Sequence, residues 1–150
     1  MTLSEHFTLA EFLYSEIAAE LHIDNFPSGE HIRNMAFVAG KLEIVRAHLG
    51  GHPITITSGY RCPELNKAAG GSSSSAHMQG LAVDFVCPEF GTPKEIVKAI
   101  IGIARALGFD QCIFEGPWVH LGWSAGKNRW QVLTKIAGQG GRPAYVPFVG

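Results

Sequence analysis

Three residues of this 150-residue chain have the types and spacing to hold a metal ion: His77, Asp84 seven positions on, and His120. Zinc in a hydrolase takes three protein ligands from His, Asp, Glu or Cys and keeps a fourth position open. Asp84 interrupts a run that is otherwise Leu, Ala, Val and Phe. A carboxylate inside a buried strand must be paired, hydrogen-bonded or on a metal, because an unpaired buried charge is too costly. His120 alternates with Trp118 and Gly122 on one face of a short strand, while Val119 and Leu121 take the other. On spacing alone a bland alternative stays open, in which His77 caps a loop and Asp84 pairs with Arg61 for structural reasons.

The elements that must position these residues can be read from local signals. Ile54 to Thr57 is β-branched throughout and reads as a strand. Pro63 opens a short helix through Ala68, closed by Gly70-Gly71, and Ser72 to Ser75 is a loop that no core would accommodate. Leu81 to Val86 reads as a buried strand. Gln111 to Phe114 and Trp118 to Gly122 read as two more, around the turn Glu115-Gly116-Pro117-Trp118. Upstream, Thr8 with Glu11 makes a capping box for a helix over about 9–21. A longer helix over about 30–49 carries Met35, Val38, Leu42, Val45 and Leu49 on one face. Asn25, Pro27 and Gly29 punctuate the loop between them. Thr92, Pro93 and Glu95 start a helix that turns Ile96, Ile100, Ile103 and Leu107 inward and ends at Gly108. The remainder after Asn128 is Gly-rich, with one strand expected at Trp130 to Ile136. This order implies an α+β fold, a small antiparallel sheet with helices packed on one side and the zinc site on the sheet. One domain over 1–150 is expected, with 124–150 as a C-terminal tail.

Composition narrows the function classes. Hydrophobic residues make up 46% and charged residues 17% of the chain, with a formal net charge of −1. That balance describes a folded globular protein without a basic stripe, so nucleic acid is not an expected partner. No apolar run reaches the roughly 18 residues that a membrane span needs. The first residues show neither a basic n-region nor an apolar h-region, so synthesis in the cytoplasm without a signal peptide is expected. Cys62, Cys87 and Cys112 are odd in number and lack CxxC spacing, which suits reduced thiols. His6, His22, His31, His48 and His52 have no ligand partner at useful spacing and read as surface or helix residues.

The segments SGYRCPELN, SSSSAHMQGLAVDF and WVHLGW resemble the family of zinc D-alanyl-D-alanine carboxypeptidases and L-alanyl-D-glutamate endopeptidases. Members of that family cut peptidoglycan stem peptides, and several phage endolysins belong to it. The stretch LSEHFTLAEFLYSEIAAELHIDNFP is similar to short phage and prophage members, so the likeness covers roughly residues 1–123. By position, the resemblance places zinc ligands on His77, Asp84 and His120, a transition-state arginine on Arg61, and a substrate-contacting serine on Ser75. It implies Zn2+ as cofactor, a peptidoglycan stem peptide as partner, a monomer, and action on the cell wall after release by phage or prophage lysis. Trp118 would wall the groove.

One position departs from the family pattern. Many relatives carry an acidic general base three residues before the last His, where this chain has Pro117. The nearest acid is Glu115. In a continuous strand an odd offset would put it on the face opposite His120. A two-residue turn at Gly116-Pro117 repairs this, because Glu115 then pairs with Trp118 and Ile113 with His120, setting Glu115 diagonally beside His120. Glu89 and Asp110 are the other acids that could serve. A protein on the same fold that keeps the metal but binds rather than hydrolyses is the alternative that Pro117 feeds.

Overall fold

The computed structural model describes residues 1–150 and combines a six-stranded sheet with six α-helices. In chain order the elements are α1 (Leu9–Leu13), α2 (Glu16–Leu21), α3 (Gly29–His48), β1 (Thr55–Ser58), α4 (Pro63–Ala68), β2 (Ala82–Val86), α5 (Pro93–Ile101), α6 (Ala104–Leu107), β3 (Gln111–Phe114), β4 (Val119–Gly122), β5 (Gln131–Ala137) and β6 (Pro143–Pro147). A 3₁₀ turn, Ala76–Gln79, precedes β2.

Helix starts follow the capping signals. Thr8 accepts from the N–H of Glu11, Ser28 and His31 form a reciprocal capping box for α3, and Thr92 with Glu95 does the same for α5. Two helices expected to be continuous are broken. The 9–21 segment splits because Tyr14 and Ser15 are extended, and the Ser15 hydroxyl caps the N–H of Ala18 to begin α2. Serine competes with the helix for its own backbone, so a capping residue in mid-segment restarts it. The 92–107 segment breaks at Gly102-Ile103 and resumes as α6.

The strands line up as β1-β2-β4-β3-β5-β6. All pairs are antiparallel except β3 with β5, which run parallel, so the sheet is mixed where a purely antiparallel one was expected. After β4 the chain crosses over and returns beside β3. The N–H groups of Trp130 and Gln131 bond to the carbonyls of Phe109 and Asp110, and Arg129 grips the Asp110 carboxylate at 2.9 and 2.8 Å. The expected strand near Trp130 to Ile136 is therefore present as β5. The Gly-rich stretch beyond it forms a hairpin to β6, which was not anticipated.

Alternation along each strand separates two faces. Val83, Phe85, Cys112, Val119 and Leu121 belong to the core with Met35, Val38, Leu42, Val45 and Leu49 of the α3 segment and Ile96, Val97 and Ile100 of α5. Each fully buried Leu, Ile or Phe side chain contributes about 1.5–3 kcal/mol relative to exposure. The other face carries a different row. Ser58, Asp84, His120, Ile113 and Leu133 are successive partners across β1, β2, β4, β3 and β5. The packed face thus makes a rigid floor for the polar one. Cys62, Cys87 and Cys112 are all free thiols, and burial pushes that of Cys112 up to about 12. No helix is long and apolar enough to cross a membrane.

Candidate metal centre

Asp84 and His120 are direct cross-strand partners on β2 and β4, and His77 reaches them from the 3₁₀ turn. The Oδ1 atom of Asp84 lies 2.9 Å from His120 Nδ1 and 3.2 Å from His77 Nε2. The ligand atoms of the three residues all lie within 4.8 Å of one another, close enough to hold one metal ion. His77 and Asp84 are buried and His120 is nearly so. His77 Nδ1 donates to the Gly59 carbonyl at 2.7 Å, which fixes the ring and leaves Nε2 facing inward. Metal-binding histidines are oriented by this kind of outer hydrogen bond.

The electrostatics suit a cation. Burial holds the His77 pKa below its ordinary value, outweighing the pull of Asp84. Burial alone would raise the Asp84 carboxyl. The neighbouring imidazoles of His77 and His120 more than offset that and keep it well below the usual carboxylate range. Two imidazoles and one ionised carboxylate match the donor set of an open zinc site.

Arg61 stands beside this cluster, its guanidinium 3.5 Å from Asp84 Oδ2. It is steered by Ser58, which accepts from Nε at 3.1 Å, and by Asn66, which accepts from Nη1 at 3.4 Å. Its backbone is bracketed by Asn25. That side chain donates to the carbonyls of Tyr60 at 2.9 Å and Leu13 at 3.1 Å, and accepts from the N–H of Cys62 at 2.8 Å. The Arg61 N–H bonds in turn to the His77 carbonyl. Gly59 is required where it sits, since a Cβ there would collide with the Phe12 carbonyl. Sequence reasoning read Asn25 as loop punctuation and passed over Ser58 and Asn66, and no local signal marks them. They matter only because the loop before α3 folds onto the segment before α4.

The β3–β4 turn has the register expected from a two-residue connection. Ile113 pairs with His120, and the Glu115 N–H donates to the Trp118 carbonyl at 3.1 Å. Gly116 takes φ +93, a conformation that glycine adopts without strain. Glu115 Oε2 consequently lies 3.8 Å from His120 Nδ1, with its side chain only 12% exposed. Its Oε1 is 3.5 Å from Lys135 Nζ of β5, a neighbour the sequence did not announce. Of the other acids considered, Glu89 faces His52 at 3.7 Å and Asp110 is taken by Arg129.

Two lobes of one cleft meet at Arg61, Ala69, Asp84 and Trp118. A more apolar lobe of about 580 Å³ has Tyr14, Ile17, Ile56 and Leu65 on its walls. A more polar lobe of about 740 Å³ is bounded by Ser72, Ser74 and Ser75 on one side and by Lys135 and Tyr145 on the other. Ser75 lines the polar lobe, although its hydroxyl also accepts from the His77 N–H at 3.2 Å. Trp118 is half-buried at the junction, its indole Nε1 enclosed with no hydrogen-bond partner. Arg61, Ser75, His77, Asp84, Glu115, Trp118 and His120 are therefore brought together in one place.

Comparison with known proteins agrees with this chemistry. The family model described as Peptidase M15 matches residues 5–122. A zinc D-Ala-D-Ala carboxypeptidase of Streptomyces albus G is 34% identical over 76 residues, which is 51% of this chain and 28% of that protein. The chain thus matches little more than a quarter of that relative's length.

Proposed function

Because the chain belongs to the Peptidase M15 family, we propose that it is a zinc-dependent peptidase of peptidoglycan stem peptides, of the D-Ala-D-Ala carboxypeptidase or L-Ala-D-Glu endopeptidase type, with His77, Asp84 and His120 as the metal ligands. The observation that carries this reading is the convergence of two imidazoles and a carboxylate, with a second carboxylate, Glu115, 3.8 Å from one of the imidazoles. The chemistry zinc supplies at such a site is Lewis acidity, which brings the pKa of water down to about 7.

The chain's own residues take the remaining roles. Glu115 accepts a proton from the attacking water and returns it to the leaving amine, so no net proton is consumed by the residue. Arg61, fixed by Ser58 and Asn66, turns a guanidinium toward the cleft where negative charge builds on the carbonyl oxygen. Ser75 and the loop before it receive the peptide on one side, and Trp118 walls the groove at the junction of the lobes. A metal-holding binder without hydrolysis was suggested by Pro117. Glu115 beside His120 supplies the acid that position lacks and favours the peptidase. The likeness of residues 3–27 to short phage members supports a role in wall lysis after release.

The test is incubation with purified peptidoglycan, with and without a chelator. New amine ends that appear only without chelator are expected. Wild-type protein with zinc bound that releases none from any stem peptide would favour the binder.

A further inference from the structure

Outside the residues already given roles, the β5–β6 hairpin forms a wall of the polar lobe and lies beyond the matched span 5–122. Lys135 and Tyr145 are direct cross-strand partners on it, so their side chains stand together on one face. β5 runs parallel to β3 with Phe114 opposite Thr134, which brings Lys135 beside Glu115. The ammonium is thereby delivered to the cleft at the proposed general base.

The cleft's three cations differ in how much of their hydrogen bonding is already committed. Arg129 makes two bonds to the Asp110 carboxylate, at 2.9 and 2.8 Å, and the pair closes on itself. Arg61 is directed at Ser58, Asn66 and Asp84. Lys135 has one contact, 3.5 Å to Glu115, and its side chain is 38% exposed. An ammonium has three donors, so most of its capacity faces the lobe. Tyr145, 48% exposed, adds a phenol that can donate to the same group.

Resting on the peptidase reading, we propose that Lys135 with Tyr145 is a carboxylate-binding subsite, and that the substrate is an acidic peptide whose free carboxylate lies near the scissile bond. A lysine binds a carboxylate as a point charge with rotatable donors, which tolerates a flexible peptide arm. The subsite sets specificity: it discriminates a carboxylate from the isosteric carboxamide, which has no charge to offer.

The test compares two peptidoglycan stem peptides that differ only in whether the glutamate carboxylate is free or amidated. For the wild type, kcat/KM should favour the free acid about tenfold, the scale of one charge-assisted hydrogen bond. In Lys135→Met the acid-to-amide ratio should fall to near one, and in Lys135→Glu it should invert. Loss of the Glu115 contact affects both peptides alike, so the ratio isolates the subsite. Calorimetry on the Glu115→Gln protein reads the same ratio as Kd without turnover. An equal rate on both peptides in the wild type, or an acid preference that survives Lys135→Met, overturns the proposal. If neither peptide is cleaved, the peptidase reading fails, and the ratio of Kd values still decides for or against the subsite.

Discussion

On one side of the cleft, Arg61 and His77 are held by a closed set of bonds: His77 to Gly59, Arg61 to His77, and Asn25 to Tyr60 and Cys62. On the other, Glu115 and Lys135 meet at 3.5 Å on a turn and an outer hairpin, with solvent within reach. The first wall is over-determined by its hydrogen bonds, as a site that must hold ligand atoms in place requires. The second is polar and adjustable, which suits groups that exchange a proton or meet a variable substrate. Damage to the first wall should therefore cost metal or orientation, and damage to the second should cost turnover or selectivity.

The largest effect expected is that of His77→Ala, which removes a ligand from the closed wall. Zinc content by elemental analysis should fall several-fold, hydrolysis should drop to background, and Tm should fall because bound metal stabilises the folded state by mass action. Unchanged zinc would break the comparison at its centre. Next comes Glu115→Gln on the open wall, which keeps shape but cannot accept a proton. Activity should fall by about two to four orders of magnitude, the usual worth of general acid–base catalysis, with zinc content and Tm almost unmoved. Full activity would place the base elsewhere.

A smaller loss is expected from Asn25→Ala. The substitution leaves the Leu13 and Tyr60 carbonyls and the Cys62 N–H without their partner, and so loosens the backbone on both sides of Arg61. Misplacing a positioning group by a fraction of an ångström should lower kcat by about tenfold while zinc stays bound. A lost metal would mean that the two functions of the closed wall are not separable. The smallest effect is that of Arg129→Met. The hydrogen bonds from Arg129 hold the Asp110 carboxyl below its ordinary pKa. The stabilisation is thus present above the unfolded carboxylate pKa and disappears as pH falls through the folded one. Tm of the variant should lie slightly below wild type at neutral pH, and the gap should close in acid. A gap independent of pH would assign Arg129 a packing role.

Much of this site was legible before the fold was known. The choice of a metal over a structural Asp84–Arg61 pair, and the role of Arg61, came from the family resemblance. The candidate trio and the Glu115 register followed from residue type, strand alternation and the length of one turn. Those are local rules: a two-residue connection sets which residues face each other, and an Asp in an apolar strand must find a partner whatever surrounds it. The capping residues were equally legible, although Ser15 restarted a helix that the apolar spacing alone would have run through.

The strand order, the parallel return of β5 and the bracing of Arg61 by Asn25 depend on contacts between distant segments. Lys135 reads in the sequence as a lysine in a Gly-rich remainder, and only the crossover pinned by Arg129 and Asp110 sets it beside Glu115. Strand propensity and periodicity state that a segment is extended and which residues share a face. They carry no information about which neighbour it will choose or in which direction, because that choice is made by burial and hydrogen bonding summed over the whole sheet.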